Sequence, residues 1–288
     1  MRIVHADLQN YLKSRSDMST LDFHNVIAHA RYTLGKGGII GITTFHDRRY
    51  EDAKKQCELQ GIHVQNMDNA FYTLESDLLF VKCQRIMTKQ GDLEAIGVRE
   101  HHHLPEHLSL EDTLKAIEDE GALANLPAPF HQRGSGPYIQ QHPKLLHHVD
   151  ALTVYSGEGA LWIPHLLPRD AAESPNEAAL YFYREMKPLF PHLGALTASN
   201  GSSVRHIGAN YTMIEMPEDY RSLQTAQDVC DALRTSLREA TPLYGQCRPL
   251  VFGSLRHQFV VLVDHNPLSY ALKGIPNAHL DHLFTQKE

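Results

Sequence analysis

The chain has 288 residues, of which 42% are hydrophobic and 21% are charged, and this composition suits an α/β protein of one large or two small domains. Its net charge of -7 is spread along the chain, which argues against a nucleic-acid-binding surface. A small anionic ligand or a protein partner is expected instead. No signal-peptide pattern opens the sequence and no apolar run is long enough to span a membrane, so we expect a cytoplasmic protein.

Helices and strands are predicted to alternate along most of the chain. An amphipathic helix with Ser19 or Thr20 as its N-cap ends at Gly35, and the buried strand GIIGITTF follows. A further helix contains a capping box at Ser109 and Asp112 and stops at Gly121. The other elements are predicted in the segments RRYEDAKKQCELQG, IHVQNM, FYTLES, DLLFVKCQ, ALANL, VDALTVYSG, SPNEAALYFYREMKPLF, LGALTAS and SLQTAQDVCDALRTSLREA.

Such alternation predicts a mainly parallel sheet, open or closed into a barrel, with its functional site at the carboxyl ends of the strands. The pattern changes after residue 240, where RPLVFG and HQFVVLVDHN suggest a hairpin. We therefore expect a domain over residues 1–240 and a small C-terminal extension over residues 241–288. The four cysteines, at positions 57, 83, 230 and 247, form no C-x-x-C pair and are expected to be reduced and mostly buried.

Several segments, in the order in which they occur, resemble motifs of the PHP superfamily, the polymerase and histidinol phosphatase family of metal-dependent phosphoesterases. The main stretches are DLQNYLKSRSDMS, GIIGITTFHD, AIGVREHHH, NLPAPF, VDALTVYSG and ASNGSSVRHIG. The resemblance implies a distorted, TIM-like (β/α)7 barrel. In that family, His, Asp and Glu residues at the barrel mouth hold up to three metal ions, and a metal-bound hydroxide attacks a phosphate ester.

Most of the positions that carry metal ligands in the family hold other residue types in this chain. These positions are Gln9, Tyr11, Thr44, Phe45, Arg99, Ala128, Thr153, Ser156, Asn200 and Ser202. Neighbouring scaffold residues such as Gly97, Pro129 and Phe130 match the family pattern. Hard divalent metals require imidazole and carboxylate ligands. The resemblance therefore predicts a protein that has lost the phosphoesterase activity, needs no cofactor, and has a binding or regulatory role.

Two alternatives remain open at this stage. The first is an active hydrolase that holds Mn, Zn or Fe through relocated ligands, for which the candidates are His5, Asp7, His46, Glu100 and His206. The second is a metal-free anion site built from Arg48, Arg49, Arg99 and Arg133 together with Ser199, Asn200 and Ser202. The run His101–His103 is expected to be a solvated loop, because adjacent side chains face in different directions.

Overall fold

The computed structural model describes residues 1–13, 18–45, 47–157 and 175–239. In these residues the strands are β1 Arg2–Asn10, β2 Ile39–Thr44, β3 Val64–Asn66, β4 Ala70–Thr73, β5 Leu78–Thr88, β6 Gly91–Ile96, β7 Leu123–Leu126, β8 Ala151–Ser156, β9 Gly194–Ala198 and β10 Thr212–Met216. The α-helices are α1 Phe23–Leu34, α2 Arg49–Leu59, α3 Leu110–Glu120, α4 Gly136–Gln141, α5 Pro175–Met186 and α6 Ala226–Glu239.

The strands form one mixed sheet in the order β10-β1-β2-β5-β6-β7-β8-β9, and β4 and β3 extend it beside the first half of β5. Strands β1, β2, β5, β7, β8 and β9 all run in one direction, whereas β6 and β10 run against their neighbours. We call the edge where the six like-directed strands end the carboxyl edge, and the edge where they begin the amino edge. The expected α/β fold is confirmed, although the antiparallel strands β4, β6 and β10 make the sheet less uniformly parallel than the sequence predicts.

The sheet curls until its two ends meet, so that the barrel is nearly closed. The Tyr11 amide after β1 donates to the Gly201 carbonyl after β9 at 2.8 Å. Between β9 and β10, the Thr197 amide donates to the Thr212 hydroxyl at 2.8 Å. Such a closure leaves few exposed strand edges. The sheet is thus a distorted, nearly closed α/β barrel, as the resemblance implies.

Three apolar clusters build the core. Inside the barrel, residues of β1, β2 and β5 pack against Val229, Leu233 and Leu237 of α6. A second cluster lies between α1, α2 and the outer face of β2 and β5, and a third lies between α3, α5 and the outer face of β6 to β9. The Asn69 amide donates both to the Gly97 carbonyl after β6 and to the Ala226 carbonyl at the start of α6. Helix α6 therefore begins at the amino edge, and its apolar face contributes to the interior of the barrel.

Local sequence signals explain where the helices begin and end. Ser109 caps α3 by accepting a hydrogen bond from the Asp112 amide, and Gly121 ends it in the left-handed conformation at φ 78°, as predicted. Helix α1 ends at Gly35 as predicted, but its N-cap is Asp22, which accepts from the Asn25 amide, and not Ser19 or Thr20. An ionised Asp is also favoured at this position by the helix dipole.

The expectations for the cysteines, for membrane-spanning helices and for the C-terminal extension can be compared only with the described residues. Cys57, Cys83 and Cys230 are buried free thiols, as predicted. Within the described ranges, no helix has the length and apolar character required to cross a membrane. Cys247 and the expected C-terminal extension lie outside the described residues.

Candidate functional site at the carboxyl edge

A hydrogen-bonded polar network lies inside the barrel. The Asn125 amide on β7 donates to Glu94 Oε2 on β6 at 2.9 Å and to the Thr153 hydroxyl on β8 at 3.0 Å. On the other side of the carboxylate, the Thr43 hydroxyl on β2 donates to Glu94 Oε1 at 3.2 Å. All four side chains are buried. Four strands thus contribute to one network, whose members are Thr43, Glu94, Asn125 and Thr153.

Burial dominates the electrostatics of Glu94. Removal from water raises the pKa of its carboxyl group to about 7, because the charged form loses solvation. The nearby Arg85 and the hydrogen bonds from Asn125 and Thr43 oppose this shift without cancelling it. A carboxyl group with such a pKa can take up or release a proton near neutral pH.

Two arginines hold a second carboxylate near this network. Arg85 Nε on β5 donates to Asp92 Oδ2 at 3.1 Å, and Arg133 Nη2 donates to Asp92 Oδ1 at 3.1 Å. Arg85 and Asp92 are largely buried, whereas the Arg133 side chain is 45% exposed. Asp92 is the second residue of β6, which begins where β5 ends. The cluster therefore lies at the carboxyl edge and presents one guanidinium group to solvent.

Aromatic rings occupy two positions where the family pattern has metal ligands. Tyr11 and Phe45 stack with their ring centroids 5.3 Å apart and their planes 1° from parallel. The Arg49 guanidinium lies over the Tyr11 ring at 5.6 Å from its centroid. Its Nη1 also donates to the carbonyls of Tyr11 at 3.0 Å and Lys13 at 3.1 Å. Arg49 is therefore engaged by the protein itself.

Asp7 has a structural role between β1 and the turn that follows β9. Its carboxylate accepts hydrogen bonds from the Ser199 amide at 3.0 Å and the Gly208 amide at 2.8 Å. Complete burial raises the pKa of Asp7 to about 6, although these hydrogen bonds favour the charged form. The Ser199 hydroxyl donates to the Asn210 carbonyl and accepts from the Asn210 amide. The amide and hydroxyl of Ser199, which we proposed for an external anion, are thus used within the protein.

Asn200 and Ser202 lie in the same turn, at the carboxyl edge. Asn200 adopts the left-handed conformation with φ 50°. Gly201 between them has no space for a side chain, because a Cβ there would lie 2.2 Å from the His206 Cβ. The turn is therefore closely packed against its own continuation.

Of the metal candidates that the structure describes, His5, Glu100 and His206 make separate contacts. The His5 ring stacks on Tyr211 with the centroids 4.1 Å apart, and burial lowers the pKa of His5. Glu100 pairs with Lys54 at 2.5 Å and follows β6 at the amino edge, whereas the buried His206 lies in the turn at the carboxyl edge. His46 lies outside the described residues. Within the described ranges, no group of three or more His, Cys, Asp or Glu residues could hold a metal ion.

One of the four arginine candidates lies apart from the other three. Arg99 follows the antiparallel strand β6 and therefore lies at the amino edge, beside Glu120 at the end of α3. There it donates to both carboxylate oxygens of Glu120, at 3.0 and 2.8 Å, which helps to lower the pKa of Glu120 to about 2 against the opposing effect of burial. Arg48 is exposed. Arg48 precedes α2 just after β2 ends, so Arg48 and Arg133 both combine a position at the carboxyl edge with an exposed side chain.

Ala128 and Thr44 have roles in the scaffold. Ala128 is buried in the left-handed conformation with φ 43°, and its carbonyl accepts from the His131 amide at 2.9 Å. The Gly136 amide at the start of α4 donates to the Pro129 carbonyl at 2.7 Å. The Thr44 hydroxyl donates to the Cys83 carbonyl at 3.0 Å. These contacts hold the ends of β7 and β2 in place.

The amino edge carries a groove of its own. It has a volume of about 710 Å³ and is lined by Arg99, Glu118, Asp119, Glu120 and residues 224–227, among others. The loop His101–His103 lies beside β5, where the buried Lys82 ammonium donates to the His102 carbonyl at 3.0 Å. The groove therefore lies at the opposite edge of the sheet from the polar network of Thr43, Glu94, Asn125 and Thr153.

Sequence reasoning missed Glu94, Arg85, Asp92 and Asn125. A signal was present, because DLEAI alternates polar and apolar residues after the turn TKQG. In an ordinary sheet, such alternation places the polar side chains in solvent. In this nearly closed barrel the polar face points inward, and the same residues form a buried network.

Comparisons with known proteins reveal the fold. No family model matches the sequence, and no curated protein matches it in a sequence comparison. Among solved structures, PsfC from Pseudomonas syringae PB-5123 is similar with a TM-score of 0.56 and 13% identity, over 90% of this chain and 100% of that one. A two-domain protein from Bacteroides vulgatus ATCC 8482, containing a predicted PHP-like metal-dependent phosphoesterase, is similar with a TM-score of 0.50 and 15% identity.

The chain covers only part of some of these proteins. The alignment with the Bacteroides vulgatus protein covers 81% of this chain and 64% of that one. Endonuclease Q from Pyrococcus furiosus, at a TM-score of 0.48 and 13% identity, is covered over 56% of its length by 82% of this chain. The structural likeness shows that the chain has a PHP-like fold.

Proposed function

We propose that this PHP-fold chain is a binding or regulatory protein that uses the carboxyl edge of its barrel and does not hydrolyse phosphate esters with metal ions. The observation that carries the proposal is the network of Thr43, Glu94, Asn125 and Thr153. Two hydroxyl groups and an amide surround the one carboxylate, and their donors are directed to it or to one another.

The donor set is a poor match for a divalent metal cluster. Mn, Zn and Fe sites of this kind are built from imidazole and carboxylate ligands. Here Glu94 is satisfied by an amide and a hydroxyl, and both Asp92 oxygens accept from arginines. Binding a cation at Asp92 would place it beside two positive charges, which Coulomb repulsion disfavours. We therefore derive no reaction step through a metal ion.

The same residues suit ligand binding. Arg133 offers an exposed guanidinium, which forms strong hydrogen bonds to carboxylate or phosphate groups. Glu94 can change its protonation state near neutral pH and so respond to a nearby charge. A small anionic ligand and a protein partner both remain compatible with this edge.

A phosphatase assay tests the proposal against its main alternative. Purified protein is incubated with an aryl phosphate and Mn, Zn or Mg, alongside His46→Ala and Glu94→Gln variants. We expect no turnover above the protein-free rate with any metal. Metal-stimulated turnover that is lost in either variant would establish a hydrolase and refute the proposal. Turnover that persists in both variants is checked on protein purified by a second route: its loss identifies a contaminating phosphatase, and its retention also refutes the proposal.

A further inference from the structure

We propose that the groove at the amino edge binds a linear polyamine, an aliphatic chain that carries several protonated nitrogens. The inference concerns the opposite edge of the barrel from the proposed function and does not depend on it. It rests on acidic side chains from two separate elements, on an apolar floor, and on a buried amide that lies against that floor.

Two separate elements bring acidic side chains to the groove. Asp68 belongs to the loop between β3 and β4, whereas the other acids, Glu118, Asp119 and Glu120, are the last three residues of α3. Among the described residues that line the groove, Arg99 is the one with a cationic side chain. The groove therefore has an excess of negative charge, which attracts a cation.

Two of these acids are available to a ligand. Asp68 and Asp119 are both exposed, and neither forms an ion pair with any residue that the structure describes. Glu120, by contrast, is held by both hydrogen bonds from Arg99. A protonated amine donates charge-assisted hydrogen bonds to a free carboxylate, so each of the two exposed acids can hold one end of a polyamine.

The end of α3 is an unfavourable place for the acids that it carries. The carbonyl end of a helix has a partial negative charge, and the last turn of α3 contains no basic residue. Arg99 compensates at Glu120, and His148 Nδ1 lies 3.1 Å from Glu118 Oε2. A cation at Asp119 relieves the remaining repulsion, so this helix end is suited to an external positive charge.

The floor of the groove is apolar. Met67, Gly97 and Cys230 line it and are buried. Gly97 keeps the floor open to Cys230, because a Cβ at this position would lie 2.5 Å from the Cys230 Sγ. Methylene groups gain free energy when they cover such a surface. The volume of about 710 Å³ lies within the range of small-molecule sites, roughly 300–1,000 Å³.

A buried amide lies against this floor. The Asn69 side chain is buried, and its Nδ2 donates to the carbonyls of Gly97 at 3.1 Å and Ala226 at 2.9 Å. The same nitrogen lies 3.2 Å from Cys230 Sγ, so it contacts three residues that line the groove. The Asn69 Oδ1 has no hydrogen-bond partner within the described part of the chain. A buried acceptor without a donor is costly, and an internal amine of the ligand supplies that donor.

These features favour a polyamine over a metal ion. A metal ion requires several ligands that converge on one point, and in the described ranges no group of three or more His, Cys, Asp or Glu residues meets this need. Acids on two separate elements, with an apolar floor in the same groove, match a flexible chain that is charged at both ends. A single ammonium ion would leave either Asp68 or Asp119 unpaired.

Calorimetry with the full chain at low ionic strength tests the inference, because salt screens exposed ion pairs. The probes are spermidine, 1,8-diaminooctane, which has the same length without an internal nitrogen, Mg²⁺, and a tetralysine peptide. The test variant combines Asp68→Asn with Asp119→Asn. The matched control combines Glu58→Gln with Glu185→Gln, which removes the same charge at exposed positions outside the groove. Circular dichroism establishes that each variant is folded.

We expect spermidine to bind the wild type more tightly than the other three probes do. The Asp68 and Asp119 double variant should bind spermidine about tenfold more weakly, through loss of two ion pairs, and the control variant should bind like the wild type. The inference is overturned if spermidine does not bind, if diaminooctane, Mg²⁺ or tetralysine binds as tightly, or if the two double variants weaken binding equally. A tighter tetralysine peptide would assign the groove to a basic protein segment.

Discussion

Asn125 on β7 donates its side-chain amide to the Glu94 carboxylate on β6 at 2.9 Å, and both side chains are buried in the barrel. The same amide also donates to Thr153 on β8. A single asparagine thus links three neighbouring strands and supplies a neutral donor to a buried acid. Because the amide is neutral, it satisfies the buried carboxyl group without adding a second buried charge. Its loss should lower the free energy of unfolding.

Replacing Asn125 by leucine should destabilise the fold by about 1–3 kcal/mol, because the Glu94 carboxyl loses a buried hydrogen-bond donor. Urea denaturation at pH 8, where Glu94 is mostly ionised, measures the change. The control is Gln140→Leu, at an exposed position of α4. Equal effects of the two substitutions would show that the Asn125 contact contributes nothing.

The raised pKa of Glu94 makes stability depend on pH. Because the folded chain binds this proton with a pKa of about 7 and the unfolded chain with 4.5, the folded state binds more protons between these values. The contribution is therefore complete below pH 4.5 and is lost as pH rises through 7, by up to about 3 kcal/mol. Asp7, with its pKa of about 6, acts in the same direction over a lower range.

Denaturation curves from pH 4.5 to pH 8 for the wild type and Glu94→Gln isolate the Glu94 contribution. We expect the difference in unfolding free energy between the two proteins to change steadily across this range, in favour of the variant at high pH. A difference that is independent of pH would mean that Glu94 does not titrate in this window.

Substitution of Asp7 tests its structural role. Asp7→Ala leaves the buried amides of Ser199 and Gly208 without their acceptor, and should cost about 2–5 kcal/mol. Asp119→Ala, at an exposed position of α3, should have little effect on the melting temperature. A wild-type melting temperature in Asp7→Ala would exclude this anchoring of β1 to the turn after β9.

Lys82 and Glu51 form a buried ion pair beside the loop His101–His103. Lys82 Nζ donates to Glu51 Oε1 at 2.6 Å and to the Arg99 carbonyl at 3.2 Å. Lys82→Met strands the Glu51 carboxylate, at an expected cost of about 3–5 kcal/mol. The double variant Lys82→Met with Glu51→Gln should recover part of this loss. If the double variant is less stable than Lys82→Met, the pair is not coupled as the structure indicates.

Local signals in the sequence predict where helix α3 begins and ends, whereas the direction of β6 depends on pairing between strands. The Ser109 cap and the Gly121 stop of α3 depend on neighbouring residues and are readable from the sequence. The reversal of β6 depends on pairing between Cys83 and Ile96 across a hairpin. That reversal, which the local sequence does not reveal, places Arg99 at the amino edge.

The buried network could not be predicted for a related reason. The hydrogen bonds from Thr43 and Asn125 to Glu94 join residues that are 51 and 31 positions apart, so they exist only once the barrel closes. A glutamate in an alternating strand is ordinarily exposed to solvent. Burial of its polar face is a property of the closed sheet and is not visible in the local pattern.

The metal content of the purified chain tests the central claim most directly. The protein is prepared without chelator or added metal, dialysed, and analysed for Mn, Fe and Zn by mass spectrometry. The proposed function predicts that only a trace of each metal remains. Near-stoichiometric metal that is retained by the wild type and lost in Glu94→Gln would contradict it, and would place a metal centre at the carboxyl edge.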